Sequence, residues 1–186
     1  MRILLAGASG VLGRATLPHL VAHDVVGLTR SRDKVKLVRD LGAEAIVCDV
    51  YDSGALVQLA RRVRPQTVVN FVTALAEPSS AANDRVRREG GANLRRAAEA
   101  ANASRLVVES VAFPLEGDAG RAVEALEETT RAFHGDAVTL RFGRLWGPGT
   151  AYAVQPEPPA ISINQAGAEA ARLLMHAAPG TYVIAS

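Results

Sequence analysis

The chain has 186 residues, of which 48% are hydrophobic and only 4% aromatic, so alanine, valine and leucine must fill its interior. This length allows one domain with a sizeable core. A net charge of +2 gives no argument for nucleic-acid binding, and the single cysteine, Cys48, excludes an internal disulfide. The sequence has no apolar run of the roughly 18 residues that a membrane-spanning helix needs. We therefore expect a cytoplasmic protein.

The first predicted element is a strand over residues 3–6, followed by a glycine turn and an amphipathic helix that runs to about Ala22. The turn contains Gly7, Gly10 and Gly13, which let the backbone bend sharply and approach a phosphate closely. The helix start adds unpaired N–H groups that suit an anion. Three glycines among 16 are weak evidence alone, but their place at the first strand–helix junction of an alternating pattern predicts dinucleotide binding. The alternative is a plain tight turn.

A second strand is predicted over Asp24–Thr29, and Arg30 follows its carboxyl end. In dinucleotide-binding folds this position faces the adenosine ribose, where an acidic residue suits NAD and an arginine suits the 2′-phosphate of NADP. Arg30 is followed by Ser31 and Arg32, and no carboxylate occurs before Asp33. The sequence therefore favours NADP and leaves NAD open. The alternative is that Arg30 is only a solvated loop charge.

The rest of the chain alternates between the two kinds of element. Helices are predicted at 34–41, 53–63, 84–102, 121–133 and from 164 or 165 to 177, and strands at 44–48, 66–71, 105–109, 136–140 and 181–185. Residues 77–83 are predicted to be a loop and a candidate flap. Gly90 and Gly91 interrupt a helix and suggest close backbone packing. This alternation predicts an α/β, Rossmann-like, doubly wound parallel sheet with helices on both faces.

Several of these segments resemble the short-chain dehydrogenase/reductase superfamily, in its extended and atypical branch of NAD-dependent epimerase/dehydratase-like proteins. The segments that carry the resemblance are the glycine run 7–13, Asp49-Val50, Asn93-Leu94, and residues 140–143 with 147–150. The resemblance covers nearly the whole chain. It implies a single NAD(P)-binding domain over residues 1–186, in which residues 151–186 form a reduced substrate-side region folded onto it.

The resemblance also implies a set of residues for each part of the cofactor. These are Gly7, Ser9, Gly10, Val11 and Leu12 at the pyrophosphate, Arg30 at the adenosine phosphate, Asp49 and Val50 at the adenine, Phe71, Val72 and Thr73 at the ribose and nicotinamide, and Phe142 and Gly143 near the carboxamide. Asp49 also has a structural alternative, because Asp49 or Asp52 is well placed to cap the next helix.

The usual active site of this family is missing. It pairs a tyrosine with a lysine four residues later, on the helix after the fifth strand, and the lysine lowers the pKa of the tyrosine. The only lysines here are Lys34 and Lys36, and none of the three tyrosines falls on that helix. Ser110, at the end of the fifth strand, remains as a candidate catalytic residue. The alternative is that Ser110 is only a cap or turn residue.

Only ten residues, 151–160, stand where the family usually inserts several dozen that cover the substrate. We therefore weigh three functions. The favoured one is an NADP-dependent oxidoreductase or epimerase-like enzyme that acts on a small, apolar carbonyl or enone. The others are a redox-inactive dinucleotide-binding sensor or regulatory protein, and a non-redox isomerase or cyclase. The four histidines are scattered and suggest no metal site, and the resemblance implies a homodimer through helices 84–102 and 121–133.

Overall fold

The protein contains a seven-stranded parallel sheet and a separate parallel pair of short strands. The strands of the large sheet are β1 (Arg2–Ala6), β2 (Asp24–Thr29), β3 (Glu44–Val47), β4 (Thr67–Asn70), β5 (Arg105–Val111), β6 (Asp136–Phe142) and β9 (Gly180–Ile184). Their order is β3-β2-β1-β4-β5-β6-β9, and the short pair is β7 (Arg144–Trp146) with β8 (Ala160–Ser162). The structure is a computed structural model that describes residues 1–74 and 80–185.

Helices cover both faces of the sheet. They are α1 (Val11–Thr16), α2 (Val35–Asp40), α3 (Ser53–Val63), α4 (Ser80–Arg85), α5 (Gly91–Ala100), α6 (Gly117–Arg131) and α7 (Ile163–His176). A π-helical turn, Val86–Gly90, joins α4 to α5. Residues of α1, α2 and α7 share one core cluster, and residues of α3 and α5 share the other. In the described part of the chain, no helix is long and apolar enough to cross a bilayer.

The central strand β1 shows why the sheet lies inside the molecule. Ile3, Leu4 and Leu5 are all completely buried. Ile3 and Leu5 belong to the cluster on the α1 and α7 side, whereas Leu4 belongs to the cluster on the α3 and α5 side. Successive side chains of a strand point to opposite faces, so a strand covered on both faces is apolar throughout. The predicted doubly wound Rossmann-like fold is therefore confirmed.

Two predicted boundaries in the first half of the chain were wrong. The first helix was expected to reach Ala22, but α1 ends at Thr16 and a 3-10 turn containing Pro18 follows. Proline lacks an N–H and cannot continue the α-helical hydrogen bonding. Residues 77–79 of the expected loop lie outside the described residues. Residues 80–83 are helical in α4, and Asn83 Oδ1 accepts a hydrogen bond from the Ala74 backbone N–H at 3.0 Å, which ties α4 to the chain leaving β4.

The paired glycines do not break the helix in which they lie. Gly91 begins α5 at the end of the π-helical turn, and a Cβ added there would lie 2.6 Å from Leu126 Cδ1 of α6. A Cβ on Gly90 would lie 3.2 Å from Val50 Cγ2. The glycines therefore allow the close packing that the sequence predicted.

The remaining differences concern the second half of the chain. Helix α6 begins at Gly117, four residues before the predicted start, and the expected glycine-rich turn forms its first turn. Strands β5 and β6 continue to Val111 and Phe142, two residues beyond the predicted ends. Strand β7 and its pairing with β8 were not predicted. Their pairing brings residues 160–162 back beside residues 144–146, at the carboxyl end of β6.

Candidate cofactor-binding site

The turn after β1 has a geometry that only glycine can adopt. Gly7 has a φ of +86°, and a Cβ added to it would lie 2.3 Å from the carbonyl oxygen of Phe71. The Gly10 N–H donates to the Gly7 carbonyl at 2.9 Å. A Cβ on Gly13 would lie 2.3 Å from that same carbonyl oxygen. The three glycines thus pack β1, the first turn of α1 and the exit of β4 against one another.

This glycine turn lies at the switch point of the sheet, where the order of the strands reverses. From β1 the strand order runs to β2 on one side and to β4 on the other, and open α/β sheets bind ligands at such a point, outside the carboxyl ends of the strands. The Ala8 N–H donates to the Leu28 carbonyl at 3.3 Å, and the hydroxyls of Ser9 and Thr29 are 3.0 Å apart. The turn is therefore anchored to the end of β2.

The adenosine-side candidates lie next to two residues that the sequence did not single out. The guanidinium carbon of Arg85 lies 4.1 Å from the centre of the Tyr51 ring. Burial raises the pKa of Tyr51, while the positive charges of Arg85 and Arg30 lower it, so all three side chains interact. Asp49 Oδ1 accepts a hydrogen bond from the Tyr51 backbone N–H at 3.0 Å. The structure thus gathers Arg30, Asp49, Tyr51 and Arg85 beside the ends of β2 and β3.

The two aspartates in this region have different roles. Asp52 caps α3, since its Oδ1 accepts a hydrogen bond from the Ala55 N–H at 2.9 Å. Asp49 stabilises the preceding turn instead. The side chain of Val50 is buried, and its carbonyl accepts a hydrogen bond from Asn93 Nδ2 at 3.0 Å, which ties this turn to α5.

The candidates after β4 and β6 lie at the same edge of the sheet but differ in exposure. Phe71 is buried, and its N–H donates to the Ala6 carbonyl at 3.0 Å, while Thr73 is exposed. The Val72 N–H donates to Asn70 Oδ1 at 3.1 Å. Phe142 is only 2% exposed and packs in the core. The side chains of Phe71 and Phe142 therefore support the edge from beneath, and only their backbones border it.

Gly143 lies where the chain leaves β6. A Cβ on this residue would come within 2.7 Å of the Pro159 carbonyl carbon. Its N–H donates to the Ile184 carbonyl at 3.0 Å. The structure therefore packs Gly143 against residues of the 151–186 region.

Ser110 belongs to a buried hydrogen-bond network. It is 3% exposed, and its hydroxyl donates to Glu127 Oε1 of α6 at 2.6 Å. Arg141, its register partner on β6, binds both oxygens of the same carboxylate, through Nε at 2.9 Å and Nη2 at 2.5 Å. Burial alone would raise the pKa of Glu127, but the hydrogen bonds from Arg141 and Ser110 hold it below its usual value. The hydroxyl proton of Ser110 is therefore engaged by a carboxylate.

The comparisons with known proteins agree with this geometry. Residues 3–112 match the sequence model described as the NAD dependent epimerase/dehydratase family. The chain belongs to this family. A Streptomyces protein named 3-diazoavenalumate denitrifying reductase is 36% identical over 188 aligned positions, which include 82% of the chain. The chain spans about 59% of the length of that reductase.

Solved structures of the same fold include several epimerase-like enzymes. The enzyme WbmH of Bordetella bronchiseptica, in complex with NAD⁺, aligns with a TM-score of 0.80 at 17% identity, over 100% of the chain and 75% of its own. The UDP-glucose 4-epimerase of Thermus thermophilus, in complex with NAD, aligns with a TM-score of 0.79 at 17% identity, over 100% and 78%. At such low identity these structures establish the shared fold and nothing finer.

Helix α6 contains neither tyrosine nor lysine, and a groove lies along this helix. The groove has a volume of about 400 Å³ and is lined by the ends of β5, β6 and β9 together with α6. Val111, Phe113 and Val123 contribute apolar walls, and Glu127 and Arg141 contribute the polar one. Within residues 1–74 and 80–185, no group of three or more histidine, cysteine, aspartate or glutamate side chains is arranged to hold a metal ion.

Proposed function

We propose that this chain binds a nicotinamide dinucleotide along the carboxyl edge of its sheet. The observation that carries the proposal is the Gly7 turn, where the backbones of residues 7 and 71 approach too closely for any Cβ. Such a turn lets a pyrophosphate approach backbone N–H groups at the switch point of the sheet. In this proposal Gly7, Ser9, Gly10, Val11 and Leu12 surround the pyrophosphate.

The rest of the proposed cofactor site follows the same edge in both directions. Arg30 lies on the adenosine side, with Asp49 and Val50 next to the adenine. Phe71, Val72 and Thr73 border the ribose and nicotinamide, and Phe142 with Gly143 ends the row near the carboxamide. Family membership supports this arrangement.

We propose NADP as the preferred form of the cofactor. Arg30 follows β2 directly, and a guanidinium group at this place favours a phosphate, because charge-assisted hydrogen bonds to phosphate oxygens are strong. Arg85 lies beside the Tyr51 ring, where it forms an ion pair with Glu89 at 2.7 Å. NAD remains the alternative, since the related structures named above hold NAD.

We further propose that the chain is part of a cytoplasmic oxidoreductase that reduces a small, apolar carbonyl or enone. The name of its Streptomyces relative is that of a reductase, and the groove along α6 combines apolar side chains with the charged groups of Glu124, Glu127 and Arg141. A reduction of this kind needs the substrate held against the nicotinamide ring. The proposal treats residues 1–186 as one dinucleotide-binding domain that pairs with a second copy.

A redox-inactive sensor is the second candidate function. It is favoured by the composition of α6, which has neither tyrosine nor lysine, and by the engagement of Ser110 with Glu127. Steady consumption of NADPH with a panel of carbonyls and enones supports the reductase. Tight binding of NADPH without turnover of any compound supports the sensor.

A calorimetric titration with NADPH and NADH tests the cofactor proposal. Arg30→Ala should weaken NADPH binding at least tenfold, roughly one charge-assisted hydrogen bond, and leave NADH binding nearly unchanged. Arg62→Ala is the matched control, because Arg62 is an exposed arginine in the last turn of α3. Equal losses for NADPH and NADH would show that Arg30 does not contact the 2′-phosphate. The absence of heat with either dinucleotide would refute the proposed function itself.

A further inference from the structure

A buried arginine lies in the π-helical turn between α4 and α5. Arg87 is the second residue of that turn and is only 8% exposed. Arginine is rarely buried unless a negative partner compensates its charge. π-Helical turns are themselves uncommon and occur frequently at functional sites. A negative group near Arg87 must therefore compensate its charge.

The negative charges of Glu109 and Asp84 both act on Arg87, and Glu109 lies at the carboxyl edge of the sheet. Ala6 pairs with Asn70 and Asn70 with Val108, so the next row runs from Gly7 through Phe71 to Glu109. Strand β4 has already ended at Asn70. Glu109 therefore stands two strands away from the glycine turn, in the row where parallel sheets of this kind receive their ligands.

Glu109 and Ser110 face opposite sides of the sheet, because successive side chains of a strand alternate. Ser110 points to α6 and Glu127. Glu109 shares its side with Val107, whose cluster includes Leu12 of α1, the helix that follows the glycine turn. Glu109 is partly exposed as a residue, although enough of the chain surrounds its carboxyl group to shift its pKa.

The electrostatics of the pair suit a group that exchanges a proton. Burial raises the pKa of Glu109 to about 7, although the positive charge of Arg87 lowers it. Burial lowers the pKa of Arg87, while Glu109 and Asp84 raise it. On the opposite face Glu127 and Arg141 neutralise each other. A carboxyl group that is half ionised near neutral pH is suited to general acid–base chemistry.

We propose that Glu109 is the proton donor and acceptor of this site, and that the positive charge of Arg87 stabilises its ionised form. The proposal rests on the proposed dinucleotide-dependent reduction. In this proposal a carboxylic acid transfers the proton, because the chain has no suitably placed tyrosine to do so. Ser110 only donates a hydrogen bond to Glu127.

The step balances without a further reactant. When a carbonyl or enone accepts a hydride from the reduced dinucleotide, a C–H bond forms and the π-electron pair moves to the carbonyl oxygen. The O–H bond of Glu109 then breaks, and its proton goes to that oxygen or, for an enolate, to the α-carbon. The positive charge of Arg87 then stabilises the carboxylate left behind, which recovers a proton from solvent before the next turnover.

The test uses dinucleotide binding and requires no substrate. The oxidised nicotinamide ring carries a positive charge and the reduced ring is neutral, so only the oxidised form gains from an ionised carboxylate beside it. The ratio of the Kd of NADP⁺ to that of NADPH should fall about tenfold between about pH 5.5 and pH 8.5, with its midpoint near the Glu109 pKa of about 7. Titration of the 2′-phosphate cancels in this ratio, because both forms carry it.

Three variants define the outcome. Glu109→Gln should make the ratio independent of pH, and Glu128→Gln, which removes an exposed carboxylate of α6, should leave it as in the wild type. Arg87→Met should move the midpoint to higher pH, because it removes the charge that lowers the pKa of Glu109. Circular dichroism checks that each variant is folded. If Glu109→Gln does not fold, carboxyl NMR of the wild type replaces it, and the Glu109 titration should move to lower pH when NADP⁺ binds.

Each adverse result has its own meaning. A wild-type ratio that does not vary with pH, while both dinucleotides bind, overturns the role of Glu109 and leaves the proposed function standing. The same holds if carboxyl NMR shows no shift with NADP⁺. If the wild type binds neither dinucleotide, the proposed function fails and the role of Glu109 falls with it.

Discussion

Replacing Gly7 by alanine separates backbone strain from the contact on which the cofactor site depends. Gly7 and Gly117 both have a positive φ, of +86° and +60°. A Cβ on Gly7 would lie 2.3 Å from the Phe71 carbonyl oxygen, whereas one on Gly117 would meet no atom within 4 Å. Gly117→Ala therefore measures the strain alone, and Gly7→Ala measures strain and contact together.

The expected magnitudes follow from this geometry. A positive φ costs an alanine about 1 kcal/mol, and the less flexible unfolded chain returns up to about 1 kcal/mol, so Gly117→Ala should change stability by less than about 1 kcal/mol. For Gly7→Ala the exit of β4 must also move by about 1 Å to restore a normal contact. That movement disturbs the hydrogen bond between the Phe71 N–H and the Ala6 carbonyl. The total loss should be about 3 kcal/mol.

Thermal unfolding followed by circular dichroism measures both variants. For a chain of this length, about 1 kcal/mol corresponds to roughly 2–4 °C in Tm. Gly7→Ala should therefore lower Tm by about 10 °C and lose dinucleotide binding, while Gly117→Ala should stay within a few degrees of the wild type. Equal shifts for the two variants would refute the reasoning, because they would show that residues 7 and 71 are not packed as described.

Three further substitutions test the charged networks. Folding raises the pKa of the Glu109 carboxyl group from 4.5 to about 7, so the wild type should lose about 3 kcal/mol of stability as the pH rises from about 4.5 to about 7. Glu109→Gln should remove this pH dependence, and urea unfolding at several pH values measures the stability of both proteins. A wild-type stability that does not fall over this range would contradict it. Glu127→Gln should cost about 2 kcal/mol at neutral pH, because it leaves Arg141 without its carboxylate. The folded-state pKa of Glu127 lies below its usual 4.5, so this loss should shrink as the pH falls through that lower value, and a loss that persists at acid pH would count against the ion pair. Ser110→Ala should cost about 1 kcal/mol for the lost hydrogen bond to Glu127, and a neutral result in urea unfolding would show that the bond contributes nothing.

The sequence was sufficient to predict the fold because each strand and helix carries a local pattern. The run Ile3-Leu4-Leu5 is apolar throughout, which indicates a strand buried on both faces. The glycine turn could be recognised because it immediately follows that run. By contrast, the end of α1 depends on Pro18, whose effect on this helix was not anticipated.

The continuous apolar character that made the strands predictable also hid the direction in which each side chain of the site points. In a strand that is apolar on both faces, the alternation of side chains leaves no trace in the sequence. The family resemblance implied that Phe71 and Phe142 lie at the cofactor, and the structure places their side chains in the core. The contacts of their backbones with the carboxamide and ribose remain predictions.

The sequence also could not predict which residues interact when they are far apart in the chain. Arg87 and Glu109 interact only because the fold brings the π-helical turn close to β5. Tyr51 and Arg85 meet in the same way. Each of these four residues resembles any other polar residue of its own segment, so the sequence pattern does not indicate which residues form pairs.

The most direct measurement is a map of backbone amide chemical shifts during titration with NADPH and NADH. The largest changes should fall on residues 7–12, with smaller ones at Arg30, Asp49 and the exits of β4 and β6. Changes confined to other surfaces, or none at concentrations far above the usual Kd of such cofactors, would contradict a dinucleotide site at the glycine turn.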